Sequence, residues 1–312
     1  MTLTAVVVGC GAMGAQFDAG RQDDYVLSHA NACRRHHGTE LVAGVDVDAD
    51  KRSAFTTAWD RPAYGSISES AQDHDVDLAC ISTPAETHES VVMEATDSGV
   101  RGILCEKPLA PEEASAGRIV DRCDSEDVRL AVNYIRRFTP GVRDVRDFIA
   151  DGKLGTIDRA LFTYSKDLLE NGSHMVDLAR WWFGDVEAIT RVGEGVPVDA
   201  VLQCERADCR IVGIGTTAYS MTRADIYGDA GAIRLTDNGN VAIYADVTDD
   251  PVYPGFDRLS ERSRETTGIY RATLFAVDDL LTAIRTGDPV ACPGADALET
   301  LQVCEAMGAD PT

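Results

Sequence analysis

The segment "ILCEKPLA", Ile103 to Ala110, places a glutamate, a lysine and a proline side by side at the end of an apolar run. The chain contains only four lysines beside 25 arginines, so a lysine at this position calls for a chemical explanation. An ammonium group close to a hydroxyl oxygen lowers the cost of removing the hydroxyl proton. The position of Lys107 therefore invites a chemical role, with a solvated lysine at the end of a strand as the alternative.

A histidine and two carboxylates lie close together in "ENGSHMVD", Glu170 to Asp177. If Ser173 caps a helix, His174 and Asp177 stand three residues apart on one helical face. An imidazole can accept a proton near neutral pH, and a carboxylate one turn away can hold its tautomer. Taken alone, a histidine in this setting is more often a packed structural residue than a base.

Three glycines follow the β-branched run "LTAVVV" with the spacing G-x-G-x-x-G. Gly9 would let the chain turn off the strand, Gly11 would let the backbone approach a diphosphate, and Gly14 would let a helix pack on the sheet. The diphosphate would lie against N–H groups at the helix start, which places Ala12 and Met13 in the same loop. The pattern predicts a dinucleotide site, because it opens a strand–helix–strand unit.

A second apolar run, "ELVAGVDVD", ends in two carboxylates that could bind the ribose of a dinucleotide. A carboxylate accepts hydrogen bonds from the ribose hydroxyls and repels a 2′-phosphate, so the sequence favours NAD over NADP. Asp46 is the first candidate and Asp48 is the alternative. The interval from Gly14 to Asp46 exceeds the usual spacing of about 20 residues. We expect the extra residues to form a loop or a broken helix in "DAGRQDDYVLSHA".

The elements that must position these residues follow from the hydrophobic pattern. Up to about residue 132, short apolar strands alternate with helices, which predicts a parallel, doubly wound Rossmann sheet. Beyond it, longer strands separated by turn residues predict an α+β domain with an open, mostly antiparallel sheet. We place the domains at 1–132 and 133–312, with the last helix able to pack back on the first domain. Helices at 141–152, 173–183 and 271–286 would cover one face of the second sheet, and "DVTDDPVYPGFDRLSERSRETTG" would be an irregular loop.

The charge balance excludes nucleic acid as the main partner, because a formal net charge of −23 would repel a polyanion. Together with the shortage of lysine, the acid excess indicates adaptation to a salt-rich, halophilic cytoplasm. The glycine-interrupted N-terminal run fits neither a signal peptide nor a membrane span, so we expect a cytoplasmic protein. The nine cysteines form no C-x-x-C pair, and "CRRHH", Cys33 to His37, lacks the spacing of a zinc site. We expect no metal.

Motifs along nearly the whole chain resemble those of the Gfo/Idh/MocA oxidoreductases, which include glucose–fructose oxidoreductase, inositol dehydrogenases and sugar-nucleotide dehydrogenases. The motifs are, in order, "VVVGCGAMG", "ISTPAETH", "CEKPLA", "NYIRRFTP", "GKLG", "NGSHMVDLARWWFG" and "IYGDAGAIRL". Each motif is weak by itself, but their order and spacing together are specific.

The resemblance implies roles for the candidate catalytic residues. It implies that Lys107 lies beside the nicotinamide and stabilises a developing alkoxide, and that Glu106 touches the nicotinamide ribose. It implies that His174 is the catalytic base, oriented by Asp177 or by Glu170. Glu170 stands where the inositol dehydrogenases have an aspartate, so its role is secondary.

The resemblance also implies contacts around the reacting groups. Thr83 and Pro84 would lie under the dinucleotide with His88 nearby, although a plain strand-to-helix turn explains His88 equally well. Arg137 and Tyr164 could line the substrate pocket, where an arginine would suit a phosphate or a carboxylate. The arginine could equally form a structural salt bridge.

These residues together predict an NAD-dependent dehydrogenase that oxidises a secondary hydroxyl of a sugar, an inositol or a sugar nucleotide, or reduces the corresponding ketone. The alternatives are a dinucleotide-binding regulator without turnover and an NAD-using glycosidase. A regulator would be expected to lose Lys107 or His174, and this chain keeps both. The open sheet needs a cover for its second face, so we expect a homodimer or homotetramer through that sheet, as the resemblance also implies.

Overall fold

The computed structural model describes residues 2–21 and 23–308. The chain forms two compact units, of which the first contains the residues up to Phe138 together with Tyr270–Glu299. The second contains Thr139–Ile269 and the residues from Thr300 onward. The first unit thus ends six residues later than the predicted boundary at 132, and the chain returns to it after residue 269.

The elements alternate between strands and helices in the first unit and are mostly strands in the second. In the first stretch of the chain they are β1 (Leu3–Val8), α1 (His29–Arg35), β2 (Thr39–Val45), α2 (Ala49–Trp59), β3 (Ala63–Tyr64), α3 (Ile67–Asp73), β4 (Leu78–Ile81), α4 (Ala85–Asp97), β5 (Gly102–Cys105), α5 (Glu113–Ser125), β6 (Arg129–Val132) and α6 (Ile135–Phe138). They continue with α7 (Pro140–Ala150), β7 (Ile157–Ser165), α8 (Ser173–Phe183), β8 (Val186–Arg191), β9 (Ala200–Cys204), β10 (Ala207–Ile214), β11 (Thr222–Gly228), β12 (Gly231–Thr236), β13 (Val241–Asp249), β14 (Asp257–Thr266), α9 (Ala272–Thr286) and α10 (Gly294–Ala306).

The first sheet has six parallel strands in the order β3–β2–β1–β4–β5–β6. Its central strands are short and buried on both faces, as a parallel sheet covered by helices requires. The order places β2 on one side of β1 and β4 and β5 on the other, with all carboxyl ends at one edge. The predicted doubly wound Rossmann fold is confirmed.

The chain that follows the glycine turn departs from a long first helix. Residues Ala12–Gln16 form one π-helical turn, and α1 begins only at His29. Ser28 caps α1 by accepting a hydrogen bond from the Asn31 N–H, and the buried Asp18 accepts from the N–H groups of Leu27 and Ser28. The extra length therefore lies in "DAGRQDDYVLSHA" as predicted, with Gln22 outside the described residues.

Helix α9 belongs to the first unit, so the prediction that it covers the second sheet is wrong. A Cβ atom at Gly102, in β5, would come within 2.7 Å of Ile284 Cδ1 and 3.2 Å of Leu280 Cδ1. The glycine lets the helix approach the parallel sheet closely. The amphipathic pattern of α9 identified a buried face but not the sheet that buries it.

The second sheet has eight strands in the order β14–β13–β12–β11–β7–β10–β9–β8. Only the β7–β10 pair is parallel, which confirms the prediction of a mostly antiparallel sheet. On one face, Phe162 packs against Trp182 and Phe183 of α8, with ring centroids 5.9 and 6.5 Å apart. Helix α7 covers the same face farther along the sheet, where Phe148 packs on Tyr244 at 5.2 Å.

The segment predicted to be an irregular loop is largely a pair of strands. Strands β13 and β14 run antiparallel from the Val241–Thr266 pair to the Asp249–Asp257 pair, with the turn confined to residues 250–256. Strand β14 is mostly exposed and charged, so its sequence lacks the alternation of apolar residues that identifies a half-buried strand. Backbone pairing at the sheet edge decides its structure.

The second face of this sheet carries polar and half-buried side chains. Its buried carboxylate, Asp225 on β11, accepts hydrogen bonds from Arg223 Nε at 2.6 Å and from Arg234 Nε at 2.6 Å. Burial by itself would raise the pKa of Asp225, but the two guanidinium groups outweigh it and hold the pKa below its usual value. The carboxylate is therefore ionised wherever the sheet is folded near neutral pH.

Replacing Asp225 with asparagine should lower the free energy of unfolding by about 1–2 kcal/mol at pH 7, because its three charge-assisted hydrogen bonds with Arg223 and Arg234 weaken. A lowered folded-state pKa contributes stability above the unfolded pKa, and this contribution is lost as the pH falls through the folded value. The difference between wild type and Asp225→Asn should therefore shrink with acidification, as measured by thermal unfolding across pH. Asp208→Asn, at an exposed position of β10, is the control. A difference in stability that does not change with pH would contradict the lowered pKa of Asp225.

Candidate functional site

The glycine turn after β1 is shaped by close backbone approaches. Gly9 has φ +90°, and a Cβ atom there would lie 2.8 Å from the Ser82 carbonyl carbon and oxygen. A Cβ atom at Gly14 would lie 1.8 Å from the Gly9 carbonyl oxygen. A Cβ atom at Gly11 would meet nothing within 4 Å among the described residues. Gly9 and Gly14 are thus required by the protein itself, whereas Gly11 leaves open space beside the loop.

The start of the π-helical turn leaves backbone donors at this open space. Its first internal bonds run from the N–H groups of Ala15 and Gln16 to the Gly11 carbonyl oxygen. The N–H groups of Ala12 and Met13 precede those bonds, as the first donors of any helical turn do. Backbone donors beside a space free of side chains are what a diphosphate requires.

The two carboxylates after β2, Asp46 and Asp48, accept hydrogen bonds from different parts of the backbone. Asp46 is buried, and its Oδ2 accepts from the Cys10 N–H at 2.8 Å while its Oδ1 accepts from the Asp48 N–H at 2.9 Å. Asp48 is exposed and caps α2 through the N–H groups of Asp50 and Lys51. Burial and then the Asp46 charge raise the pKa of the Cys10 thiol to about 12, so this thiol stays protonated. Through its hydrogen bond with the Cys10 N–H, Asp46 is joined to the glycine turn, whereas Asp48 is joined to α2.

The end of β4 forms the adjoining part of the same edge. Thr83 is half-buried and Pro84 is exposed there, and Pro84 precedes the first residue of α4. The Thr83 hydroxyl is buried and has no hydrogen-bond partner among the described residues. His88 is buried, with Nε2 2.9 Å from the Thr83 carbonyl oxygen and Nδ1 3.1 Å from that of Leu109. His88 thus joins two loops of the edge, and its predicted contact with the dinucleotide stays a prediction.

Glu106 and Lys107 follow β5 directly and are half-buried. The Glu106 Oε1 atom accepts from Asn133 Nδ2 at 2.7 Å and lies 2.9 Å from His29 Nε2. His29 and Asn133 are almost fully buried. Sequence reasoning missed both, because His29 follows an irregular loop and Asn133 lies beyond β6, so no spacing rule relates them to Glu106.

In the second unit, α8 carries the other predicted catalytic group. His174 is half-buried and Asp177 is 1% exposed, one helical turn apart. Ser173 does not cap this helix, because Leu168–Gly172 form a π-helical turn that runs into it and the Ser173 hydroxyl donates to the Leu169 carbonyl oxygen at 2.7 Å. The Glu170 side chain is exposed and pairs with Lys166 Nζ at 2.9 Å.

The two residues predicted to line a substrate pocket are committed to internal contacts. In the first unit, Arg137 is buried and forms an ion pair with Asp296. In the second unit, Tyr164 is fully buried, and its hydroxyl donates to the Val198 carbonyl oxygen at 2.8 Å. Burial raises the pKa of Tyr164. A substrate contact by either residue stays a prediction.

Two further features of the described residues bear on the class of protein. Within residues 2–21 and 23–308, no helix combines the length and the apolar character needed to cross a lipid bilayer. The same residues contain no group of three or more His, Cys, Asp or Glu side chains that could hold a metal ion. All nine cysteines are buried and free.

The fold and the sheet edge of the first unit define an NAD-binding Rossmann protein. Residues 3–134 match the protein family described as "Oxidoreductase family, NAD-binding Rossmann fold" (GFO_IDH_MocA). This match confirms the resemblance to the Gfo/Idh/MocA oxidoreductases that the sequence motifs indicated.

Named relatives extend the match beyond the Rossmann unit. The chain is 26% identical to a D-apiose dehydrogenase of Paraburkholderia graminis, over 89% of this chain and 83% of that protein. It is 30% identical to inositol 2-dehydrogenase 1 of Paenarthrobacter aurescens, over 63% of this chain and 58% of that protein. Its fold is similar to the WlbA dehydrogenase of Bordetella pertussis, solved with NADH and UDP-GlcNAcA (TM-score 0.76, 19% identity, 98% of this chain and 95% of that chain).

The different surroundings of Gly11 and Gly14 yield a paired prediction. Gly11→Ala should fold with unchanged thermal stability, because its methyl group meets no protein atom, but should weaken NADH binding about tenfold or more by filling the space beside the diphosphate. Gly14→Ala should lower the melting temperature, because its methyl group collides with the Gly9 carbonyl. Fluorescence titration with NADH and thermal unfolding measure both. Unchanged NADH affinity in Gly11→Ala would place the dinucleotide elsewhere.

Proposed function

We propose that the protein is an NAD-dependent dehydrogenase that oxidises a secondary hydroxyl of a sugar, an inositol or a sugar nucleotide, or reduces the corresponding ketone. The observation that carries the proposal is the position of Glu106 and Lys107 directly after β5. This places them at the sheet edge that also holds the glycine turn and Asp46. An ammonium group beside a nicotinamide site is suited to redox chemistry at a hydroxyl.

The strand order supports a separate proposal for each half of the dinucleotide. Asp46, after β2, would bind the adenosine ribose, and the N–H groups of Ala12 and Met13 would bind the diphosphate. Thr83 and Pro84, after β4, and Glu106, after β5, lie on the other side of β1 and would adjoin the nicotinamide half. The buried carboxylate at position 46 favours NAD over NADP, since a 2′-phosphate would meet its charge.

The chain's own residues supply the proton chemistry of the proposed reaction. NAD, when bound, supplies the hydride acceptor. Lys107 would donate a hydrogen bond to the substrate oxygen and stabilise its negative charge. His174 would take the hydroxyl proton, and Asp177, buried one turn along α8, would hold the imidazole in orientation. Lys107 and His174 belong to different units, and each role is assigned from the chemistry of its side chain.

The remaining candidates have supporting roles in this proposal. Glu170 is exposed and paired with Lys166, so it would contact substrate only as a secondary group. Arg137 would act on a phosphate or a carboxylate of the substrate only after leaving Asp296. Tyr164 would support the site only indirectly, by packing its buried ring within the second unit.

The relatives support the class of substrate. A D-apiose dehydrogenase and an inositol dehydrogenase each oxidise a polyhydroxylated small molecule, as their names state. The acid excess of the chain supports a salt-rich cytoplasm as its compartment, so turnover should be measured in high salt.

We also propose that the second face of the eight-stranded sheet joins subunits. Leu161 on β7 and Val212 on β10 are half-buried on this face, although neither α7 nor α8 covers it. Partly apolar side chains across a broad sheet favour burial against another copy. A homodimer or homotetramer would follow.

The oligomeric state can be tested by sedimentation. The wild type should sediment as a dimer or tetramer, and Leu161→Arg should shift it toward the monomer, because a charge would be buried in the interface. Val196→Glu, in an exposed loop of the same unit, is the control and should leave the mass unchanged. A monomeric wild type at micromolar concentration would rule out this interface.

Substitution of the two proposed catalytic residues tests the reaction itself. His174→Ala should lower kcat by about 10²–10⁴-fold through loss of the base, and Lys107→Met by about 10²-fold or more through loss of alkoxide stabilisation. NADH release from inositols, sugars and sugar nucleotides, followed by absorbance, measures turnover. His37→Ala and Lys153→Met, both exposed, are the matched controls. Full turnover in His174→Ala and Lys107→Met would remove the proposed mechanism.

Two other outcomes would redirect the function. NADH binding without turnover on any polyol would indicate a dinucleotide-binding regulator. Product formation from a glycoside without net NADH would indicate an NAD-using glycosidase.

A further inference from the structure

Glu106 is held through one of its two carboxylate oxygens. Asn133 Nδ2 donates to Oε1 at 2.7 Å, and His29 Nε2 lies 2.9 Å from the same atom. Neither bond uses Oε2. The Glu106 side chain is 13% exposed, whereas that of His29 is 0% exposed. The protein therefore anchors one oxygen from the interior and leaves the other for a contact outside this network.

Both partners of Oε1 are fixed by their own backbone. His29 is the first residue of α1, whose cap Ser28 is bound through its backbone N–H to the buried Asp18. The N–H group of Asn133 donates to the Cys105 carbonyl oxygen at 2.8 Å, which ties it to the residue before Glu106. The two donors thus reach the carboxylate from α1 and from the end of β6. Such fixed donors define the orientation of the carboxylate.

The network has one consistent arrangement of protons. The His29 Nδ1 atom is buried and has no hydrogen-bond partner among the described residues. A proton on Nδ1 would be an unsatisfied buried donor, whereas a hydrogen bond from His29 to Glu106 requires a proton on Nε2. The Asn133 nitrogen must face Oε1, since two acceptors would repel each other. Two donors therefore converge on one carboxylate oxygen.

These donors also keep the carboxylate charged. Burial by itself would raise the pKa of Glu106, but His29, then Asn133 and the Lys107 charge outweigh it and hold the pKa below its usual value. An ionised Oε2 is an acceptor only. It suits a hydroxyl donor on a ligand.

We propose that His29 and Asn133 are positioning residues for the cofactor: they hold Oε1 of Glu106 so that Oε2 accepts a hydrogen bond from a hydroxyl of the nicotinamide ribose. The inference rests on the proposed function only in taking a nicotinamide dinucleotide as the ligand. Because β5 and β2 lie on opposite sides of β1, the network acts on the nicotinamide half and not on the adenosine half.

Because the network would act only on the nicotinamide half of the dinucleotide, the test compares a ligand that has the nicotinamide ribose with one that lacks it. Wild type, His29→Phe and Asn133→Ala are titrated with NADH, by fluorescence, and with ADP, by calorimetry. Both variants should bind NADH about tenfold more weakly, which is the loss of about one hydrogen bond to a charged group. Their affinity for ADP should stay within about twofold of wild type, since ADP lacks the nicotinamide ribose. His37→Phe, at an exposed position just after α1, is the control.

Two further variants separate positioning from simple structural support. His29→Gln should recover most of the NADH affinity, because its side-chain amide can donate from near the place of Nε2. In a Glu106→Gln background, His29→Phe should cost little more, because positioning residues act through the carboxylate. If His29→Phe fails to fold, His29→Gln and Asn133→Ala still decide the matter.

The outcomes distinguish this inference from the proposed function. Equal loss of NADH and ADP affinity, full additivity with Glu106→Gln, or unchanged NADH affinity would each overturn the positioning role. Selective loss of NADH affinity would support it even if no polyol is turned over, and that absence of turnover would count against the dehydrogenase alone.

Discussion

Backbone atoms at the end of β1 lie so close to the end of β4 that no side chain fits between them. A Cβ atom at Gly9 would stand 2.8 Å from the Ser82 carbonyl group, and one at Gly14 would overlap the Gly9 carbonyl. This approach draws the ends of β1 and β4 together at the edge of the sheet. A Cβ atom at Gly9 would also come within 2.9 Å of the Thr83 backbone nitrogen, so the same approach includes the start of the segment after β4.

Buried carboxylates connect this turn with its neighbours. Asp46 joins the end of β2 to the N–H group of Cys10. Asp18 organises the irregular segment before α1, and α1 in turn presents His29 to Glu106. Each of these carboxylates is satisfied by fixed donors, as a charge away from water requires. The acidic residues at this edge are therefore structural parts of the site and not only carriers of the net charge.

The second unit depends on one well-packed face of a large sheet. Phe162, Trp182 and Phe183 fasten α8 to β7, and this packing sets the position of His174 and Asp177 along the helix. The opposite face is held by ion pairs such as Asp225 with Arg223 and Arg234. The two faces of this sheet are therefore stabilised differently, one by aromatic packing against helices and the other in part by ion pairs.

The sequence by itself determined the kind of fold, because periodicity, glycine spacing and strand–helix alternation are local properties. It identified the dinucleotide edge through Gly9, Gly11, Gly14 and the carboxylates after β2, and it identified the Glu106–Lys107 segment. It did not identify β14. The residues of this strand are mostly charged and exposed, so the strand forms through backbone pairing with β13 at the sheet edge and leaves no hydrophobic pattern in the sequence.

Only the tertiary structure decided how these residues are used. It distinguished Asp46, bound to the glycine turn, from Asp48, which caps α2. It assigned α9 to the first sheet through the space left by Gly102. It brought His29 and Asn133, 104 positions apart in the chain, to one oxygen of Glu106. Hydrogen bonds between distant residues depend on which strands and loops are adjacent in the fold, and a local sequence pattern does not contain this information.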